Sequence, residues 1–68
     1  MYKEAMKSFK QAIRIDPDSA YAHSSLGAAY IESGKYKEAI DAYKQAIKIN
    51  PDDAEVHADL GAAYILWV

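Results

Sequence analysis

Apolar residues recur at intervals of three and four along four stretches of this chain, and the stretches are of two kinds. In residues 36–49 they are Tyr36, Ala39, Ile40, Tyr43, Ala46, Ile47 and Ile49; residues 2–15 repeat the stripe with Tyr2, Ala5, Met6, Phe9, Ala12, Ile13 and Ile15. That spacing places the apolar positions along one side of an amphipathic helix. The second kind is shorter in its stripe: Ala22, Leu26, Ala29 and Tyr30 in one stretch, Val56, Leu60, Ala63 and Tyr64 in the other. Pro17 and Pro51 end the first kind, because proline lacks the N–H and clashes with the preceding turn. The pattern predicts helices over about 2–15, 20–33, 36–49 and 54–66. No segment alternates with period two, so an all-α fold is expected.

End signals agree. Asp18 and Asp52 are the expected acceptors for the free N–H groups of the second and fourth helices, and Asp52-Asp53-Ala54-Glu55 reads as a capping box. Gly34 is suited to a left-handed helix C-cap, whereas Lys35 is a poor N-cap for the helix that follows.

The stretches belong to a repeat. Residues 1–34 and 35–68 align without a gap, and 19 of the 34 pairs are identical. Tyr2-Lys3-Glu4-Ala5 returns as Tyr36-Lys37-Glu38-Ala39, and Leu26-Gly27-Ala28-Ala29-Tyr30-Ile31 returns as Leu60-Gly61-Ala62-Ala63-Tyr64-Ile65. A fixed period of this length is the signature of stacked supersecondary units.

The residues resemble a known family at this point. His23-x-x-Leu26-Gly27-x-x-Tyr30, then Ala39-x-x-x-Tyr43, Ala46 and Pro51, is similar to the tetratricopeptide (TPR) repeat, whose pattern is W-x-x-L-G-x-x-Y, then A-x-x-x-F, then P. The resemblance covers the whole chain. His23 and His57 stand where the pattern has Trp, and Tyr43 stands where it has Phe, which Phe9 matches. Pentatricopeptide repeats, with a period of 35 and an RNA ligand, match less well. The resemblance implies four antiparallel helices in helix-turn-helix repeats, a fragment of a right-handed TPR superhelical solenoid, with the helices at 20–33 and 54–66 lining a concave groove. It also implies a protein–protein interaction or scaffolding role rather than catalysis.

Charge sharpens that expectation. All eight basic residues lie in or just before the first kind of helix: Lys3, Lys7, Lys10, Arg14, Lys35, Lys37, Lys44 and Lys48. Segments 17–34 and 51–68 hold no Lys or Arg and carry Asp18, Glu32, Asp52, Asp53, Glu55 and Asp59. The expected groove residues are Tyr21, Ser24, Ser25, Ala28, Glu32, Glu55, Ala58, Asp59 and Ala62, with Tyr21 the foremost exposed contact. Such a groove suits a basic or apolar peptide or helix. It does not suit a peptide's C-terminal carboxylate, since no Lys, Arg or Asn of these helices is there to neutralise it. A net charge of −2 disfavours nucleic acid.

Other chemistry is weak. His23 and His57 lack further ligands at metal spacing and are expected to pack between helices, where protonation would loosen the array. Gly27 and Gly61 are expected at close helix contacts; no phosphate-binding glycine loop is present, and Ser24-Ser25 beside His23 has no carboxylate placed to orient the ring. No cofactor, metal site or enzymatic activity is expected. The chain has no cysteine, no long apolar run and no leader-like start, so no membrane span and a cytoplasmic location are expected.

Continuing the period across the termini suggests a second role. The fourth helix of one copy could pack on the first helix of another, through Tyr2, Met6 and Phe9 on one side and Ile65, Leu66, Trp67 and Val68 on the other. Glu32-Ser33-Gly34 of the first unit becomes apolar Leu66-Trp67-Val68 in the second. Expected forms are a head-to-tail homo-oligomer or, if Ser33-Gly34-Lys35 straightens, a helix-swapped dimer. A local fold-back of the apolar tail is the competing expectation. Near-identical units also fit a designed or excised piece.

Overall fold

A computed structural model describes residues 1–67; Val68 lies outside the described residues. Four helices follow one another: α1 (Tyr2–Ile15), α2 (Ala20–Glu32), α3 (Tyr36–Ile49) and α4 (Ala54–Leu66). Among the described residues there is no strand. The helices form helix-turn-helix repeats in which α1 packs on α2, α2 on α3 and α3 on α4, and other pairs barely touch. Stability in such an array is the sum of neighbour contacts. The molecule is a slab whose thinnest extent is 14 Å. Two rows of helix axes about 8–10 Å apart, each with a Cα radius of about 2.3 Å, give that thickness.

The connections are set locally. Pro17 and Asp18 form a tight turn closed by the Ser19 N–H donating to the Asp16 carbonyl at 3.1 Å. Pro suits the second position of such a turn. This shifts both expected N-caps by one residue. Ser19, not Asp18, caps α2, its hydroxyl accepting from the Ala22 N–H at 3.2 Å. Asp53, not Asp52, caps α4, accepting from Glu55 N–H at 3.1 Å and Val56 N–H at 3.3 Å. Asp18 and Asp52 belong to the turns instead. Helix α2 ends one residue earlier than expected, with Ser33 as its C-cap. Gly34 has φ +79°, its N–H donates to the Ile31 carbonyl at 3.0 Å, and the Lys35 N–H reaches the Tyr30 carbonyl at 2.8 Å. These two bonds are the Schellman arrangement. They hold α2 and α3 folded back on each other, against the straightening that a helix swap requires.

The core sits around α3. Ala39, Ile40, Tyr43 and Ala46 are buried there with Val56 and Ala63 of α4, and Tyr30, Ile31, Ile47 and Leu60 pack against them. Helix α1 has no buried residue. The histidines differ from expectation. Rather than wedging between helices, His23 is half-buried and His57 is exposed. The Nε2 of each lies near the carbonyl of the proline six residues earlier, at 3.0 Å for Pro17 and 2.8 Å for Pro51. With Nε2–H donating, each ring ties the first turn of its helix to the preceding turn. Imidazole is smaller than indole and reaches the turn where a Trp would fill the interhelical space.

The two helical glycines also part company. A Cβ on Gly27 would stand 2.8 Å from Tyr43 Cε1 and 2.9 Å from Cδ1, so the α2–α3 approach requires glycine. A Cβ on Gly61 would meet nothing within 4 Å, so the expected close contact is absent there. The same substitution should therefore act with opposite signs. Gly61→Ala should stabilise by about 1 kcal/mol through helix propensity. Gly27→Ala should destabilise by about 1 kcal/mol or more, because a buried ring must move. Each kcal/mol shifts Tm by roughly 4–8 °C in a domain of this size, so thermal melts of the two variants check both signs.

Candidate functional site

Among the surface hollows, two are bounded by α2. The one between α2 and α4 is a groove of about 380 Å³ lined by Ala20, Tyr21, Ser24, Ser25 and Ala28 on one side and Asn50, Asp53, Glu55, Val56 and Asp59 on the other. The helical periodicity explains the set. Tyr21, Ser24, Ser25 and Ala28 are spaced to share the side of α2 next to its core stripe. Glu55 and Asp59 are four apart and stack on the same side of α4.

Six of the expected groove residues are thus brought together: Tyr21, Ser24, Ser25, Ala28, Glu55 and Asp59. Glu32, Ala58 and Ala62 are exposed but do not line this hollow. The structure adds Asn50, Asp53 and Val56. Asn50 follows α3 and Asp53 caps α4, so both enter from the α3–α4 turn that the helical pattern did not cover. The asparagine of the turn is one polar donor that the helices themselves do not supply.

The groove's electrostatics are one-sided. Asp53, Glu55 and Asp59 line it, and no lining residue is Lys, Arg or His. Tyr21 is 78% exposed, and the Ser24 hydroxyl donates to the Tyr21 carbonyl at 3.1 Å rather than pointing to a partner. Asp59 also acts inward. Burial, and next the Asp59 charge, push the Tyr43 hydroxyl up to about 12. The other face is larger and mixed in charge: a hollow of about 500 Å³ whose rim carries Lys10, His23, Glu38, Asp41 and Gln45. Lys10 lies 5.9 Å from the Tyr30 ring centre there, and Lys44 repeats the contact at 5.9 Å over Tyr64. These contacts join each basic helix to the helix after it.

The family model for the TPR repeat matches the chain twice, over residues 1–34 and 29–66. The chain belongs to the TPR repeat family. No curated protein matches it. TPR repeats form a non-catalytic fold that mediates protein–protein interaction and scaffolding. Among the described residues of this TPR chain there is no group of three or more His, Cys, Asp or Glu that could hold a metal ion. None of its described helices is long and apolar enough to cross a membrane.

The expected self-association residues are partly exposed. Tyr2, Ile65, Leu66 and Trp67 face solvent, and Met6 and Phe9 are half-buried. Ile65 is 80% exposed, and Leu66 and Trp67 each keep about half of their surface in water. Of the tyrosines on the helical stripes, Tyr43 is buried, Tyr30 and Tyr36 are half-buried, and Tyr2 and Tyr64 are exposed.

The raised Tyr43 hydroxyl makes a pH prediction. An unfolded Tyr ionises near 10, so the folded state retains this proton between about 10 and 12 while the unfolded chain loses it. Stability from this group is full below pH of about 10 and falls as pH rises toward 12, by roughly 2–3 kcal/mol at most. Tyr43→Phe should remove that part of the alkaline loss, seen as a smaller fall in Tm than the parent chain shows over the same range. Asp59→Asn should lower the Tyr43 ionisation toward its ordinary value, read by ultraviolet titration against Tyr43→Phe.

Proposed function

We propose that this TPR chain binds a basic helix or extended peptide with apolar anchors along the α2–α4 groove. One observation carries the reading: Asp53, Glu55 and Asp59 converge with an exposed Tyr21 ring in a hollow without a lining cation. Small residues Ala20, Ser24, Ser25 and Ala28 form its floor and let a partner backbone approach. Tyr21 supplies a rigid amphipathic contact of the kind that dominates interface energetics. The carboxylates supply selection by charge, which governs encounter rate and discrimination more than raw affinity.

The partner class follows from the same residues. Lys or Arg side chains flanking one or two apolar anchors match the groove, and a free C-terminal carboxylate would meet three carboxylates and no lining cation. The mixed hollow on the other face has no such one-sided field.

The test is a titration, by fluorescence anisotropy, of peptides that carry Leu or Tyr anchors flanked by Lys or Arg, beside the same peptides with Glu flanks. Binding of the basic set alone, weakening as salt is raised, is expected. Asp59→Asn and Glu55→Gln should each weaken it by about two- to fivefold, the range of partly exposed charge pairs. Tyr21→Ala should weaken it about tenfold or more. Equal binding of the acidic peptides, or indifference to all three substitutions, would contradict the reading.

A further inference from the structure

We infer that α1 docks an acidic amphipathic helix of a partner protein, with carboxylates along Lys3, Lys7, Lys10 and Arg14 and one apolar side chain in the hollow between α1, α2 and α3. This second surface is independent of the α2–α4 groove and of opposite sign. Its four cations follow one another at intervals of four, three and four residues. At about 3.6 residues per turn they fall within an arc of about 60°, and they extend over about 16 Å of helix. All four are exposed. This side of α1 already has its neighbours: Lys10 lies over the Tyr30 ring of α2 and lines the hollow shared with α2 and α3. The repeat supplies an internal control. Lys37, Asp41, Lys44 and Lys48, on the same side of α3, are also exposed, although α3 packs on both α2 and α4. Helix stacking thus leaves this side to solvent.

The stripe on α1 is uncompensated. Glu4 is the one acid of that helix, and it falls outside the arc. Among the described residues none of the four cations forms an ion pair. The stripe on α3 is different, because Asp41 stands where α1 has Lys7 and takes up Lys37 at 3.4 Å. Four like charges held on one side of a helix create a field that a complementary partner relieves. The hollow beside them supplies the apolar part of the contact. Ile13, Leu26, Tyr30 and Ala42 line it, and Lys10 belongs to both its rim and the stripe. Glu38 and Asp41 stand on the α3 rim. They repel carboxylates, so the acidic side of the partner must lie over α1 and its apolar side over the hollow.

Spacing selects a helix as the partner. Acidic residues at intervals of four, three and four on a second helix present their charges at the same steps as the stripe. An extended strand repeats on one face every about 6.6 Å and falls out of step. A flat anionic membrane would also press against the exposed Glu4, Glu38 and Asp41. Nucleic acid meets the chain's net charge of −2 and has no apolar side for the hollow. An amphipathic helix read through spaced anchors is a common mode of peptide recognition.

The test is fluorescence anisotropy of the full chain with a labelled Ala-rich helical peptide that carries Glu at the matching intervals and one Leu beside them. A peptide of the same composition, with its Glu residues scattered around the helix, is the control. The matched peptide should bind at least about tenfold more tightly than the scattered one, and replacing its Leu by Ser should weaken it. Lys7→Glu and Arg14→Glu, both at exposed positions, should each weaken binding by about two- to fivefold. Circular dichroism should show both variants as helical as the parent. Lys48→Glu on α3 makes the same charge change off the site and should have a smaller effect, and Asp59→Asn in the groove should have none. Phosphatidylserine vesicles and a single-stranded oligonucleotide should compete poorly at equal charge. Four results would overturn the inference: no binding at millimolar peptide, equal binding of the scattered peptide, a Lys48→Glu effect as large as that of Lys7→Glu, or displacement by vesicles or oligonucleotide more readily than by unlabelled peptide. The last would assign the patch to a membrane or a nucleic acid instead.

Discussion

The Tyr43 ring lying against the bare backbone of Gly27 sets how closely α2 and α3 approach, and most of the structure depends on that distance. With the ring in place, Ala39 and Ala46 are small enough to bring α3 close to its neighbours, and both are almost fully buried. The Schellman bonds at Gly34 then fix the angle at which the two helices meet. Small residues at the crossing and a large ring beside them satisfy close packing with little volume to spare, so the contact is specific as well as strong.

The rest follows from how few such contacts a two-unit array can hold. Each helix packs mainly on its sequence neighbours, and α3 alone has a fully developed core on two sides. Helix α1 contributes no buried residue, and large apolar groups stay in contact with water at Tyr64, Ile65 and Trp67. A domain of this size buries only roughly 60% of its unfolded surface, and repeat arrays generally gain stability by adding units. The same geometry leaves α2 and α4 side by side, and that places Tyr21 beside Asp53, Glu55 and Asp59 in one groove. Asp59 stands at the junction, with its charge felt by the buried Tyr43 hydroxyl as well as by the groove.

Much of this was legible in the residues because the chain states its pattern twice. The 3.6-residue stripes and the prolines placed all four helices, and the helical spacing of Tyr21, Ser24, Ser25 and Ala28 placed one wall of the groove. What escaped was decided by short-range geometry that periodicity does not encode. The Pro-Asp turn takes up one more residue than the capping pattern suggests, so Ser19 and Asp53 cap in place of Asp18 and Asp52. The histidines turned to the proline carbonyls because six residues separate them across a tight turn. Asn50 and Asp53 entered the groove from a connection that no stripe covers. Identical glycines at 27 and 61 could not be told apart by sequence, since only the position of a neighbouring helix distinguishes them.

Native-state hydrogen exchange, on the chain diluted until it is monomeric, tests the dominance of the α2–α3 contact most directly. Exchange reports local opening free energies along the chain. The slowest amides should lie in α3 and in the turns of α2 that surround Gly27, those of α4 should be intermediate, and those of α1 should exchange fastest. Protection in α1 equal to that in α3 would contradict the account, because it would mean that the array is held together by something other than the Tyr43–Gly27 seat and the contacts around it.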